Sequence, residues 1–237
     1  GIYIKGDKLE YWNTHTITAN NTVWGDSIYY WKNKVGGTVP KYAGQVILAN
    51  CTSVNITGQS MNERKIGITV GYSRSINISD NNLISNDRGV YLYNSDKNYL
   101  SNNYGYSNKE TFYFYNSSGN KIEGNKMGMY FSKSSGCELI RNNISNNQYG
   151  IYLQSTENFE IRNNKLVENS LIIKGEEVKY WDTHVIEESN TVNGDPLYYL
   201  ANQSNVTINE KSGQIILADC SNVKVENHSI ENIRYGI

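Results

Sequence analysis

Lys121, Glu138 and Glu160 hold the same place in three consecutive repeats of the sequence, and Glu123 and Arg162 lie two residues further along. Carboxylates held on one outer face suit glycosidic cleavage by an acid and a nucleophile. A Lys or Arg base beside metal-binding carboxylates suits cleavage of acidic polysaccharides. Opposite charges on adjacent strands are also ordinary surface pairs, worth about a few tenths of a kcal/mol. No acidic cluster fit for calcium accompanies the five residues, so no catalytic residue is assigned and the reading leans against an enzyme.

Metal chemistry has weaker material. His15 and His184 stand at equivalent places in "WNTH" and "WDTH", and His228 stands where the first copy of the same stretch has Gln59. A position that accepts glutamine does not require imidazole, and two histidines one long repeat apart do not converge on one ion. Cys51, Cys137 and Cys220 are odd in number and lack metal-site spacing; in contexts such as "VILANC" and "IILADC" they read as buried structural thiols. Neither a metal nor another cofactor is expected.

Aromatic residues form the more distinctive pattern. Units starting at 67, 89, 111, 128 and 150 can be laid in register, with "QVILANCTSVNITGQSMNERKI" from Gln45 as one more. Their third position reads Thr69, Tyr91, Tyr113, Tyr130 and Tyr152. Flanked by apolar second and fourth positions, it points outward, so four tyrosines should form a flat ribbon. Such a ribbon either stabilises the sheet by aromatic packing or offers a platform to sugar rings or a neighbouring protein.

The elements that position these residues follow from the same register. Ile68, Val90, Phe112, Met129 and Ile151 alternate with Val70, Leu92, Phe114, Phe131 and Leu153 across one outward residue, which describes a strand with a buried face. Ile78, Leu100, Ile122, Leu139 and Ile161 mark a second strand, and Leu83, Ile144 and Leu166 a third. Asparagine fills the fifteenth position of all five units: Asn81, Asn103, Asn125, Asn142 and Asn164. A unit of 22 residues with three short strands buries its apolar face only by stacking on its neighbours. The expected fold is therefore an all-β, right-handed parallel β-helix. Its asparagines should take left-handed corner conformations and bond from coil to coil. The unit at 111 is five residues short after Asn125, which predicts a notch in the third face rimmed by Tyr104, Tyr106, Lys126 and Met127.

A longer repeat overlies the first. Residues 1–68 align without a gap to 170–237 at an offset of 169, with 27 of 68 positions identical. "YWNTHTITANNTVWGDSIYYWKN" matches "YWDTHVIEESNTVNGDPLYYLAN". Two divisions follow: a first long module over 1–169, and a partial second copy over 170–237 continuing the same solenoid. Trp12, Trp24, Trp31, Tyr29 and Tyr30, with Tyr198 and Tyr199 in the second copy, should bulge from the wider coils and cover the core. The chain reads as part of a longer tandem array whose ends can stack on copies of itself.

"NTVNGDPLYYL", "SGQIILADCSNVKVENHSIENIRYGI" and "GIYLQSTENFEIRNN" resemble the β-helix repeat proteins of archaeal cell surfaces. They are similar to the carbohydrate-binding and sugar-hydrolase (CASH) repeats and to the periplasmic copper-processing β-helix proteins that accompany nitrous oxide reductase. The resemblance covers nearly the whole chain and implies a β-helix outside the cell. Nine N-x-S/T sequons, at Asn20, Asn50, Asn55, Asn77, Asn116, Asn143, Asn202, Asn205 and Asn227, are candidate glycan acceptors.

Composition sets the outer bounds. A chain of 237 residues at 38% hydrophobic content can bury a core, and a net charge of −1 offers nucleic acid no electrostatic attraction. No stretch has the apolar length for membrane insertion. The function this favours is an extracellular scaffold or adhesive module of a surface or envelope protein, non-catalytic, with surface polysaccharide or further copies of the chain as partners. The alternative is a carbohydrate-binding or polysaccharide-cleaving module.

Overall fold

The structure, a computed structural model, describes residues 1–145, 147, 149–233, 235 and 236. Most coils lay one strand on each of three faces. The first face is a nine-stranded sheet running from Thr22–Val23 to Leu171–Lys174, in which Ile68, Val90, Phe112, Met129, Ile151 and Leu171 stand in register. The second is a seven-stranded sheet with Ile56, Ile78, Leu100, Ile122, Leu139, Ile161 and Ile186 in register. Both rows are buried and meet in one continuous core. The chain is an all-β parallel β-helix, as the alternation predicts. Among the described residues helix is confined to two single turns, Glu10–Asn13 and Lys179–Asp182.

Asparagine amides tie the corners together. Asn103 donates its backbone N–H (2.8 Å) and its Nδ2 (2.9 Å) to Asn125 Oδ1, while a second Nδ2 bond reaches Ile78 O at 2.9 Å. Asn81, Asn142 and Asn164 repeat the arrangement, and Asn190 closes the column. The left-handed backbone lies one residue earlier than expected. Asp80, Asn102, Gly124, Arg141 and Asn163 have φ between 53° and 65°, whereas the column asparagines do not. The preceding residue makes the bend, which frees the asparagine to turn its amide inward. A serine column at another corner escaped the sequence reading: the N–H groups of Cys51, Ser73, Ser95 and Ser117 donate to the hydroxyls of Ser73, Ser95, Ser117 and Ser134.

The third face breaks at the short coil. Ser60–Asn62, Asn82–Ile84 and Tyr104–Tyr106 form one sheet, and Asn143–Ser145 begins another. Tyr104, Tyr106 and Lys126 are exposed there, but Met127 is fully buried. A Cβ built on Gly105 would lie 2.5 Å from Met127 Cε. Met127 therefore plugs the gap instead of rimming it, as an unbranched, flexible side chain does in an irregular space.

Residues 1–30 build a second core on the outer face of the first sheet. Ile4, Trp12 and Ile28 pack there against Ile47, Ala49, Ile66 and Tyr91. Trp12 lies over Gly71, where a Cβ would come within 2.1 Å of its ring, and stacks on Tyr93 at 5.2 Å between centroids. At the other copy, Leu171–Lys174 closes the first sheet. The chain then runs through Val185–Ile186 and Thr191–Val192, and an antiparallel hairpin leads into Asp195–Ala201, which pairs with Gln214–Ala218.

Candidate functional site

The charged patch forms, with changed membership. Lys121, Glu138 and Glu160 are in register side by side on the second face. Ile140 separates Glu123 from Arg162 in the next row, so these two are not neighbours; the cation beside Glu123 is Arg141, which sequence reading passed over. Glu123 also receives Lys121 Nζ at 3.3 Å and the Tyr99 hydroxyl at 3.1 Å. Desolvation pushes its carboxyl up, but the bonds from Lys121 and Tyr99 and the Arg141 charge outweigh that, and its pKa lies below the ordinary value. A carboxylate held ionised is the reverse of what a general acid needs.

The tyrosine column also differs from expectation. Tyr91 is only 6% exposed, because Tyr3 and the rest of the N-terminal segment cover it, so it is not a surface platform. Tyr113, Tyr130 and Tyr152 are half-buried. Tyr113 and Tyr130 stack at 5.0 Å and 5°, Tyr130 and Tyr152 at 4.8 Å and 12°. At the strand spacing of a sheet, parallel rings turn their faces to one another. The ribbon therefore shows its edges and hydroxyls outward rather than a flat surface. Arg88 covers Tyr113 at 4.1 Å and bonds Glu110 at 2.6 Å. Burial, with the neighbouring phenols adding to it, pushes the Tyr130 hydroxyl up to about 12.

A recurrent turn is the best-defined arrangement in the molecule. Trp12 Nε1 donates to Gly6 O and Trp181 Nε1 to Gly175 O, both at 2.9 Å. The Thr14 and Thr183 hydroxyls donate to Glu10 O and Lys179 O, both at 2.6 Å. Tyr30 and Tyr199 donate to Trp12 O and Trp181 O. The Gln45 and Gln214 amides bridge both backbone groups of Ile2 and Leu171. A Cβ on Gly6 or Gly175 would strike the ring of Tyr11 or Tyr180 at 2.5 Å, which accounts for glycine in "KG" of both copies. In the first copy the turn lies on the outer face of the first sheet, over Gly71 and Tyr93, and in the second copy the strands on either side of it pair with Ile151–Gln154 and Glu160–Arg162.

His15 and His184 serve the turn. His15 and His184 each bond the carbonyl four residues earlier through Nε2, at 2.9 and 3.1 Å. His184 Nδ1 also accepts the Phe159 N–H at 3.2 Å from the preceding coil. That fixes a neutral imidazole, and burial lowers its pKa although the Tyr180 carbonyl opposes the shift. His228 bonds Ser212 Oγ and Ile208 O, and Gln59, at the same place in the first copy, bonds Ala43 N and Pro40 O.

Of the sequon asparagines, Asn20, Asn50, Asn116, Asn143, Asn202, Asn205 and Asn227 are exposed, and Asn55 and Asn77 are half-buried.

A family model described as periplasmic copper-binding protein (NosD) matches residues 2–202. The chain belongs to the NosD family. Its coils also superpose on DFA-IIIase from Arthrobacter chlorophenolicus A6, solved in complex with GF2, with a TM-score of 0.53 at 10% identity. The match covers 80% of this chain and 56% of that enzyme, and at that identity it shows the fold alone. No curated protein sequence matches the chain. The donor set does not suit the copper of the NosD family's name: among the described residues no three His, Cys, Asp or Glu side chains converge. Cys137 is buried and its thiol pushed up to about 12 by desolvation, and Met61, Met127 and Met129 lie in the core. Among the described residues no helix is long and apolar enough to cross a membrane.

Proposed function

We propose that this chain is a non-catalytic scaffold or adhesive module of an extracellular surface or envelope protein, with residues 1–169 and 170–237 as successive modules. The duplicated turn carries this reading. Two stretches 169 residues apart keep the same indole, hydroxyl and amide bonds, which fix the shape of the turn at the place where one module would meet the next. Preserving a joint is a demand of architecture, whereas an active site needs only one copy. The ionised Glu123 and the covered Tyr91 point the same way.

A carbohydrate-binding function is the second reading. It is favoured by the half-exposed edges and hydroxyls of Tyr130 and Tyr152, which hydrogen-bond sugars better than they stack on them; surface polysaccharide is the corresponding partner. A glycan-array and polysaccharide-depolymerisation screen on the chain and on its Tyr130→Ala/Tyr152→Ala variant separates the two. Silence in both assays fits the scaffold, binding lost in the variant transfers the function to the tyrosine column, and bond cleavage overturns the non-catalytic reading.

A further inference from the structure

The two copies of the turn show complementary halves of one joint. In the first copy, Trp12 is fully buried over Gly71, Tyr72 and Tyr93, residues of the coils that start at 67 and 89. The other side of the turn, lined by Tyr3, Ile4, Thr16 and Ile17, is an open groove of about 570 Å³. In the second copy that other side is occupied. Leu171–Lys174 pairs with Ile151–Gln154, and Val185–Ile186 with Glu160–Arg162. The side that carries Trp181 is the open one. There Ile172, Tyr180, Trp181, Ile215, Leu217 and Tyr235 line an open groove of about 730 Å³, and Trp181 is only half-buried.

We propose that this second groove is a docking site for a β-helix coil of the chain's own repeat type, one carrying glycine at the place of Gly71 and tyrosines at the places of Tyr72 and Tyr93. Three observations specify the occupant. The walls of the groove, Leu171, Gln214, Gly175 and Trp181, keep the bonds of Ile2, Gln45, Gly6 and Trp12, so the same wall already has a known occupant in the first copy. Closest approach to the indole requires a residue without Cβ, as at Gly71. The free edge of Gln214–Ala218 is already engaged at one end, where Ile215 N donates to Gly236 O at 2.9 Å, as a further parallel strand would begin. A coil seated there bonds to that edge and buries the indole face. The aromatic and acidic lining would also suit a sugar, but the occupant seen on the equivalent wall is protein.

This inference rests on the scaffold reading and is tested apart from it. A chain extended after Ile237 by a copy of residues 69–125 continues the register at the same offset. Labelled with 5-fluorotryptophan, its Trp181 resonance, assigned through Trp181→Phe, should lose its solvent-isotope shift and take on the shielded character of Trp12. With valine at the appended counterpart of Gly71, Trp181 should stay as it is in the unextended chain. An unchanged Trp181 in an extension whose amides are protected from exchange overturns the proposal. Should the appended coils not fold, the unextended chain still decides: Gly71→Val should make Trp12 resemble Trp181, and no change in Trp12 overturns the equivalence of the two grooves. A Trp181 shift on adding soluble oligosaccharides to the unextended chain overturns the protein occupant and the scaffold reading together. A shift that grows with chain concentration assigns the groove to a second copy and overturns the coil-specific proposal alone.

Discussion

Replacing Gly71 with alanine places a Cβ 2.1 Å from Trp12 Cε3, where carbon atoms normally rest about 3.5–4.0 Å apart. The indole must retreat by about 1.5 Å or leave its seat. A buried tryptophan removes about 150–250 Å² from water, which at about 25 cal/mol per Å² is about 4–6 kcal/mol. Losing half of that, less about 0.5–1 kcal/mol that alanine gains over glycine in a strand, leaves a cost of about 2 kcal/mol. In a Trp12→Ala background the clash is gone, and Gly71→Ala should turn neutral or stabilising. Urea unfolding of the two single variants and the double variant measures the coupling, expected at about 2–3 kcal/mol. Equal destabilisation by Gly71→Ala with and without Trp12 would refute the argument that this glycine exists to seat the indole.

Three further outcomes follow from the corners, the histidine and the thiols. Asn103→Leu leaves the Asn81 N–H without a partner inside the core and removes one of the bonds of the Ile78 carbonyl, and should cost about 1–3 kcal/mol in denaturant unfolding, against less than about 0.5 kcal/mol for a change at exposed Lys109. His184 has a folded pKa below its ordinary 6.5, so its contribution is present above that value and is lost as pH falls from about 6.5 through the folded pKa; melting curves from pH 7.5 to 5 should show a fall that His184→Gln flattens. In thiol titration of the native chain, half-exposed Cys220 should react before Cys51 and Cys137, and all three should react together after unfolding.

Much of this molecule could be read from its repeats because a solenoid has short-range rules: an apolar residue at Leu100 or Ile122 must face inward, and stacking leaves it one neighbour on each side. The corners were legible as asparagine but not in detail, since side-chain bonding and left-handed backbone fall on adjacent residues such as Asn102 and Asn103. The outer surface was least legible. Strand alternation shows that Tyr91 points away from the core, but not that Tyr3 and Trp12 return from far along the chain to cover it. The "GDKLEYWNTH" and "GEEVKYWDTH" match could have signalled this, because exact spacing of Gly, Tyr, Trp, Thr and His across 169 residues is more than a surface bulge requires. Arg141 was missed because it follows the strand and reaches back to Glu123.

The most direct test of the joint is hydrogen exchange of the indole Nε1–H groups in the unmodified chain, followed by NMR. Both Trp12 and Trp181 donate to a glycine carbonyl at 2.9 Å, but only Trp12 is sealed by Gly71, Tyr72 and Tyr93. The account predicts that Trp12 exchanges only with global unfolding, while Trp181 exchanges much faster through local opening. Equal protection of the two indoles would contradict a joint whose lock depends on the coils packed over it.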